Sequence, residues 1–569
     1  MVAIERLFVS NLLPNEAENA EISRFLRSNT TPTEPTALRS TIESSKVDLE
    51  AYDTDISALE VALEKAKRQR AALETHVGRC QSIFSPIRTL PTELLLRIFS
   101  LCSQELESTF SHDFTSWSHL TPQDHMKQLA RIDLLRPSRV CYLWRTTILN
   151  TPSLWTAIQV NLTEWVLPSH ARKLTPLLEA AVARSGNSPL HLKLRSTAQA
   201  YELPGLEFLA NTAPRWRALT IWMSSTTSKR LNSLGITLPL LTRLEIHGEL
   251  LSEVTVFADA PHLQEVTLRR SGSKQPPKLP WSQLRVLNYE DGTAAELAAF
   301  MKLVAISENL EAVSIMNLDV SVQPVGLYRV FCEIQSFSIT LRNSRDHVSI
   351  HATTFLESLL HPLMLSHLRD LRIRMKSRRP LRWSGLGPPF ENLLRRSFCA
   401  DNIACLALHG VIITSSQLFG LFINVPLLEK LYLADLPRDL DIPEKHDLDK
   451  DFVVLTDDIL CMLSGKASDL PPNGLLPRLR VLCCTTLFQF SADAMREFMV
   501  ARQPGRTAAL EDERRKLDLH LLWHPSRPWT DPHQKTGLET LQVEAHGLEN
   551  IRFSVGPYRE EIFESGNFD

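Results

Sequence analysis

A three-position apolar motif recurs ten times along this chain: one apolar residue, a second three places on, and a third two places after that. The first five copies are Trp216/Leu219/Ile221, Leu241/Leu244/Ile246, Leu263/Val266/Leu268, Leu284/Leu287/Tyr289 and Leu310/Val313/Ile315. The second five are Ile334/Phe337/Ile339, Leu368/Leu371/Ile373, Ile403/Leu406/Leu408, Leu428/Leu431/Leu433 and Leu479/Leu482/Cys484. Successive copies lie mostly 21 to 35 residues apart, which is room for one strand, one turn and one helix. A unit this short cannot bury its own apolar face. Neighbours must stack, and the spacing predicts a curved solenoid with a parallel sheet on one side. Ahead of the first copy, residues 169–184 read as a helix ending near Gly186, and Leu190-His191-Leu192-Lys193-Leu194 alternates as a half-buried strand does.

The motif resembles the first half of the leucine-rich repeat, L-x-x-L-x-L. The Asn or Cys of that family, three places after the third apolar residue, is absent: Ser224, Glu249, Ser271, Gly292 and Leu318 stand there. An irregular solenoid is therefore expected. The 51-residue gap before the last copy holds a charged stretch at 438–451, expected as a loop. Further on, Leu517/Leu519/Leu521 fits a strand. Both Leu538/Leu541/Val543 and Leu548/Ile551/Phe553 match the motif only ten residues apart, so one of them is assigned to a capping hairpin. Polar residues between motif positions, such as Arg217, Thr220, Arg243, Glu245, Glu265, Thr267, Arg285 and Asn288, would line the concave face; which of them bind a substrate is unknown from sequence.

At the other end, residues 1–35 read as a flexible lead-in, and no Gly or Pro occurs from Thr36 until Gly78. Across 36–80 a heptad places Ile42, Leu49, Ile56, Leu63, Arg70 and Val77 at a, and Ser45, Tyr52, Leu59, Ala66, Leu73 and Cys80 at d. Ten of these twelve positions are apolar, which predicts one amphipathic helix. Two readings stay open: a coiled coil forming a homodimer through 36–80, or a single helix folding back on its own chain.

Between helix and repeats lies Leu90-Pro91-Thr92-Glu93-Leu94, followed by Ile98-Phe99 and, some forty residues later, by Val140-Cys141-Tyr142-Leu143-Trp144 and Leu154-Trp155. Pro91 suits a first helical turn, where its missing N–H costs nothing, and Glu93 favours the positive helix end. The combination resembles the F-box, with residues 103–125 as an inserted loop. The resemblance implies a non-catalytic substrate-recognition subunit of an SCF-type cullin–RING ubiquitin ligase. It would dock on the Skp-type adaptor, and through it on cullin, by Leu90, Pro91, Glu93, Leu94, Ile98, Phe99, Val140, Cys141 and Trp144, and hold an unidentified protein substrate on the repeats. The alternative is a ligase-independent interaction scaffold. The expected fold class is α/β: an N-terminal long helix (36–80), a small all-α F-box-like module (84–160), then an irregular leucine-rich-repeat-like α/β solenoid with a C-terminal cap (161–569).

A net charge of −3 argues against nucleic acid as partner. The local cluster of Arg374, Lys376, Arg378, Arg379 and Arg382 reads as a solvated loop. Nine scattered cysteines, with no C-x-x-C pair, fit a reducing compartment. With no signal-peptide pattern and no apolar run long enough to span a bilayer, the expectation is no membrane and a cytoplasmic or nuclear location. Nucleophile-elbow, P-loop and dinucleotide signatures are missing, so no enzyme activity and no cofactor are expected. His520, His524 and His533 lack the Glu of H-E-x-x-H, and no metal site is assigned.

Overall fold

The structure, a computed structural model, describes residues 16–28, 35–109, 132–162, 168–196, 204–248, 254–269, 277–320, 329–342, 349–376, 381–434, 455–465, 475–485, 488–502, 517–523, 540–542 and 551–557. The chain divides into two compact units, Met1–Ile98 and Phe99–Asp569.

In the first unit, helix α1 (Glu16–Ser28) precedes α2 (Pro35–Ile83), a 49-residue helix. Pro35 opens α2, where its missing N–H needs no partner, and the next helix-weakening residue is Gly78. The helix is slightly longer than the expected 36–80. Arg70–Glu74 at 2.9 Å, Arg68–Glu64 at 3.5 Å and Lys46–Glu43 at 3.2 Å link successive turns, each adding a few tenths of a kcal/mol at an exposed site. No residue of α2 is buried among the described residues. A 3₁₀ turn (Pro86–Thr89) leads to α3 (Thr92–Thr109). Because α3 runs to Thr109, the stretch read as a loop from 103 begins as helix, and the rest of it, 110–125, lies outside the described residues.

The second unit continues with α4 (Ile132–Leu135) and α5 (Tyr142–Leu149) and then, among the described residues, a sheet of fourteen strands. These are β1 (Ala157–Asn161), β2 (Leu190–Arg195), β3 (Trp216–Trp222), β4 (Arg243–His247), β5 (Glu265–Arg269), β6 (Val286–Glu290) and β7 (Ala312–Asp319). They continue as β8 (Ser336–Arg342), β9 (Asp370–Lys376), β10 (Cys405–His409), β11 (Lys430–Ala434), β12 (Val481–Thr485), β13 (Leu517–Trp523) and β14 (Ile551–Pro557). Each strand pairs in parallel with the next in chain order. Parallel pairing needs a crossover, and among the described residues nine helices of seven or more residues fall between consecutive strands, from Pro168–Arg184 to Ala492–Ala501.

The ten motif copies coincide with β3 to β12, and all thirty motif residues are buried in one continuous apolar cluster. Register explains why: Leu371 lies between Phe337 and Leu406 on the neighbouring strands, so each row of motif residues stacks on the next. Ser224, where the repeat family has Asn or Cys, instead caps the helix Ser225–Ser233 by accepting from the Thr227 N–H. Gly292 is required by a close approach, since a Cβ there would sit 2.0 Å from the Tyr289 ring. At Gly410, φ is +69° and a Cβ would meet the Met375 carbonyl oxygen at 2.5 Å.

Several expectations change. β1 joins the sheet across the 160/161 boundary drawn from the sequence. Of the two closely spaced C-terminal matches, Ile551 and Phe553 of the second lie on β14, whereas Leu541 of the first is buried and helical. β13 and β14 run parallel. The 438–451 stretch lies outside the described residues. Among the described residues no helix is long and apolar enough to cross a membrane.

Candidate functional site

Two surfaces carry chemistry suited to binding, the first exposed and apolar, the second polar and half-buried. At the start of α3 the Pro91 carbonyl accepts from the Leu94 and Leu95 N–H groups at 3.1 Å each. Pro91 is thus the N-cap, one place ahead of the expected first helical position, and Glu93 lies in the first turn. Helical geometry then separates two stripes four residues apart. Leu95 is buried, while Leu94 is 52% and Ile98 38% exposed, a costly placement for apolar side chains with no partner. Pro91 and Glu93 are exposed, Leu90 is half-buried, and Phe84 and Ile87, which the sequence reading left out, are exposed too.

In the second unit Phe99 is 1% exposed, its ring edge-on to Trp144 at 5.1 Å between centroids and 71° between planes. Phe99 is therefore core, holding the half-buried Trp144 in place rather than presenting itself. The Cys141 Sγ accepts from the Trp144 N–H at 3.5 Å and caps α5. Val140 is 64% exposed, and Tyr142 and Leu143, not singled out from the sequence, are exposed beside it. Trp155 is buried, donating from Nε1 to the Ile148 carbonyl at 2.9 Å with the Arg184 guanidinium 4.6 Å above its ring.

The second surface is the face of the sheet opposite the motif residues. Register aligns Lys193, Thr220, Glu245, Thr267 and Asn288 across β2 to β6, with Arg195, Trp222, His247, Arg269 and Glu290 in the adjacent row. Glu245 accepts from the Thr220 hydroxyl at 3.1 Å and lies 2.7 Å from His247 Nε2. Burial alone would raise the Glu245 carboxyl. The hydrogen bond and charge of His247, with Thr220 and Lys193, outweigh it and hold the carboxyl below its ordinary range. The His247 ring stacks on Trp222 at 4.8 Å, and the Arg195 guanidinium lies 5.5 Å from the Trp222 ring centre.

Next along the sheet, Arg269 Nε is 2.6 Å from Asp291 and 3.4 Å from Glu290. Glu290 is pushed up to about 7, first by burial and then by the charges of Glu245 and Asp291, with Arg269 and Lys376 opposing. This is a mixed-charge surface. Of the residues named from the sequence for this face, Thr220, Glu245, Thr267 and Asn288 lie in the first of these rows, and Arg243 and Glu265 pair with each other in a further row between Ala218 and Val286. Arg217 occupies the irregularity in the β2–β3 register, and Arg285 precedes β6 and pairs with Glu311.

Beyond β9 the same face turns apolar: Cys405, Ala407, Tyr432, Ala434, Val481, Cys483 and Leu522 form a second buried cluster. Cys483 belongs to it and Cys484 to the main core, so the two adjacent thiols face opposite ways. His520 sits on β13 with Nδ1 2.5 Å from Ser554 Oγ, while His524 and His533 lie outside the described residues. Of the basic cluster, Arg374 and Lys376 are on β9, Arg382 is on the two-residue strand Leu381–Arg382, and Arg378 and Arg379 lie outside the described residues.

The class these features define is a mixed α/β protein with a long N-terminal helix and a large parallel sheet. No protein-family model matches the chain, and no characterised protein matches it at significant similarity.

Proposed function

We propose that the chain is the substrate-recognition subunit of an SCF-type ubiquitin ligase, docking on a Skp-type adaptor, and through it on cullin, and carrying a protein substrate on a leucine-rich-repeat-like solenoid. The observation that carries the reading is the exposed apolar pair Leu94 and Ile98 on the helix that follows Leu90-Pro91-Thr92-Glu93, where the F-box resemblance requires an adaptor contact. Val140 and Leu143 in the second unit support it independently. Phe99, buried, serves as the packing beneath Trp144. The repeat reading is supported by fourteen strands in chain order, each parallel to the next, with most successive motif copies starting 21 to 35 residues apart. The mixed-charge face over β2 to β6 is the candidate substrate surface.

Such a protein needs no chemistry of its own, because holding a substrate near the conjugating enzyme raises its effective concentration. The test is capture of adaptor and cullin by the intact protein. Replacing Leu94 and Ile98 together by Asp should cost about 2–4 kcal/mol of adaptor affinity if they are hot spots. Both side chains are exposed, so the fold should persist. Undiminished adaptor capture by the folded double variant would refute the assignment.

A further inference from the structure

We infer that α2 pairs with α2 of a second copy of this chain, and that the two helices run antiparallel. The heptad face is entirely exposed: Ile42, Leu49, Ile56, Leu59, Leu63, Leu73 and Val77 all lie on the surface of a 49-residue helix that buries nothing. Helix α1 does not cover it, since its own Ile22 and Leu26 are exposed as well. A stripe of this length is the seam of a coiled coil, and the charges say which partner and which direction.

Residues 35–60 carry two cations and six anions, net −4, whereas residues 61–83 carry five cations and two anions, net +3. The helix is complementary to its own reverse. In a parallel, in-register pair, g and e positions would set Asp48 against the partner's Asp53 and Asp55 against the partner's Glu60. The a layer would set Arg70 against the partner's Arg70. Every one of these contacts is repulsive.

Antiparallel pairing with Ile42 opposite the partner's Cys80 removes all three. The a and d layers then match Leu49 with the partner's Leu73, Ile56 with the partner's Ala66, and Leu63 with the partner's Leu59. Arg70 faces the partner's Tyr52, a cation over an aromatic ring instead of a second cation. At the flanks Lys46 meets the partner's Glu74, Asp53 meets the partner's Lys67, and Asp48 meets the partner's His76. Only Glu60 meets its like. Ser45, the other polar seam residue, sits one layer in from the end, opposite the partner's Val77.

The native thiol provides the test, because Cys80 is free and exposed at a d position. In a parallel pair the two Cys80 side chains would adjoin. In the antiparallel pair they lie at opposite ends, about 57 Å apart. Full-length protein should sediment at twice 64.4 kDa. On mild oxidation with copper–phenanthroline it should give no Cys80–Cys80 linkage, whereas the Ile42→Cys variant should give a linkage from residue 42 of one copy to Cys80 of the other, mapped by peptide mass. Leu63→Asp, at an exposed position whose change leaves the rest of the fold intact, should weaken the dimer at least tenfold. A monomer at all concentrations, a dimer indifferent to Leu63→Asp, a Cys80–Cys80 linkage, or an Ile42→Cys dimer that fails to cross-link would each overturn the inference.

Discussion

Leu371 sits at the middle of the sheet, fully buried, with Phe337 and Leu406 beside it on the flanking strands. Replacing it by Ala removes three carbons from the core, a transfer loss of about 2.4 kcal/mol at ~0.8 kcal/mol per methylene. The surrounding side chains belong to a ladder whose spacing is set by backbone hydrogen bonds, so they cannot collapse freely into the space. The cavity term brings the total to about 3–4 kcal/mol, inside the usual range for buried Leu→Ala. Because the rows are continuous, the loss should not stay local. Hydrogen exchange of the native protein, followed by peptide mass, should show faster exchange in β8, β9 and β10 together, with β2 and β3 unchanged. A loss confined to β9, or a destabilisation below about 1 kcal/mol, would show that neighbouring strands do not support one another and would refute the stacking argument.

Glu290, at about 7 in the folded protein against about 4.5 unfolded, prefers its proton in the native state. Its contribution is therefore fully present below about pH 4.5, is lost as pH rises through about 7, and amounts to about 3 kcal/mol. Glu290→Gln should flatten that part of the stability–pH curve, measured by denaturant midpoints, and an unchanged curve would rule the effect out. Gly292→Ala should destabilise by displacing the Tyr289 ring, whose hydroxyl donates to Glu296 at 2.6 Å, and calorimetry would read it as a lower Tm. Burial pushes the thiols of Cys405 and Cys484 up to about 12 and that of Cys399 to about 11, so alkylation of native protein at pH 8 should label the exposed Cys80 and Cys461 and spare those three. Labelling of the buried thiols at the same rate would contradict their packing.

The apolar motif determined, without any structure, which thirty residues lie in the core and that each copy holds a strand, because alternation and spacing are local properties that burial rewards directly. The heptad likewise located α2 to within a few residues, since an unbroken run of helix formers between Pro35 and Gly78 needs no tertiary support to be recognised. Sequence could not separate Leu94 from Leu95 or Ile98 from Phe99. All four are apolar at helical spacing, and only the packing around α3 decides that Leu95 and Phe99 turn inward. β1 was missed because Ile158 and Val160 carry only a short alternation directly after Trp155, too little to tell a strand from the end of the helical module.

The polar constellation of Arg195, Trp222, His247, Arg269 and Glu290 is one residue from each of five strands spread over 96 positions, and nothing local links them. The same register makes the far end of that face apolar, from Cys405 to Leu522. Which side of a strand meets core, and which residues of distant strands become neighbours, depends on how the ladder is aligned. That alignment is a property of the assembled sheet, since parallel pairing joins segments whose contact exists only after the intervening chain has folded.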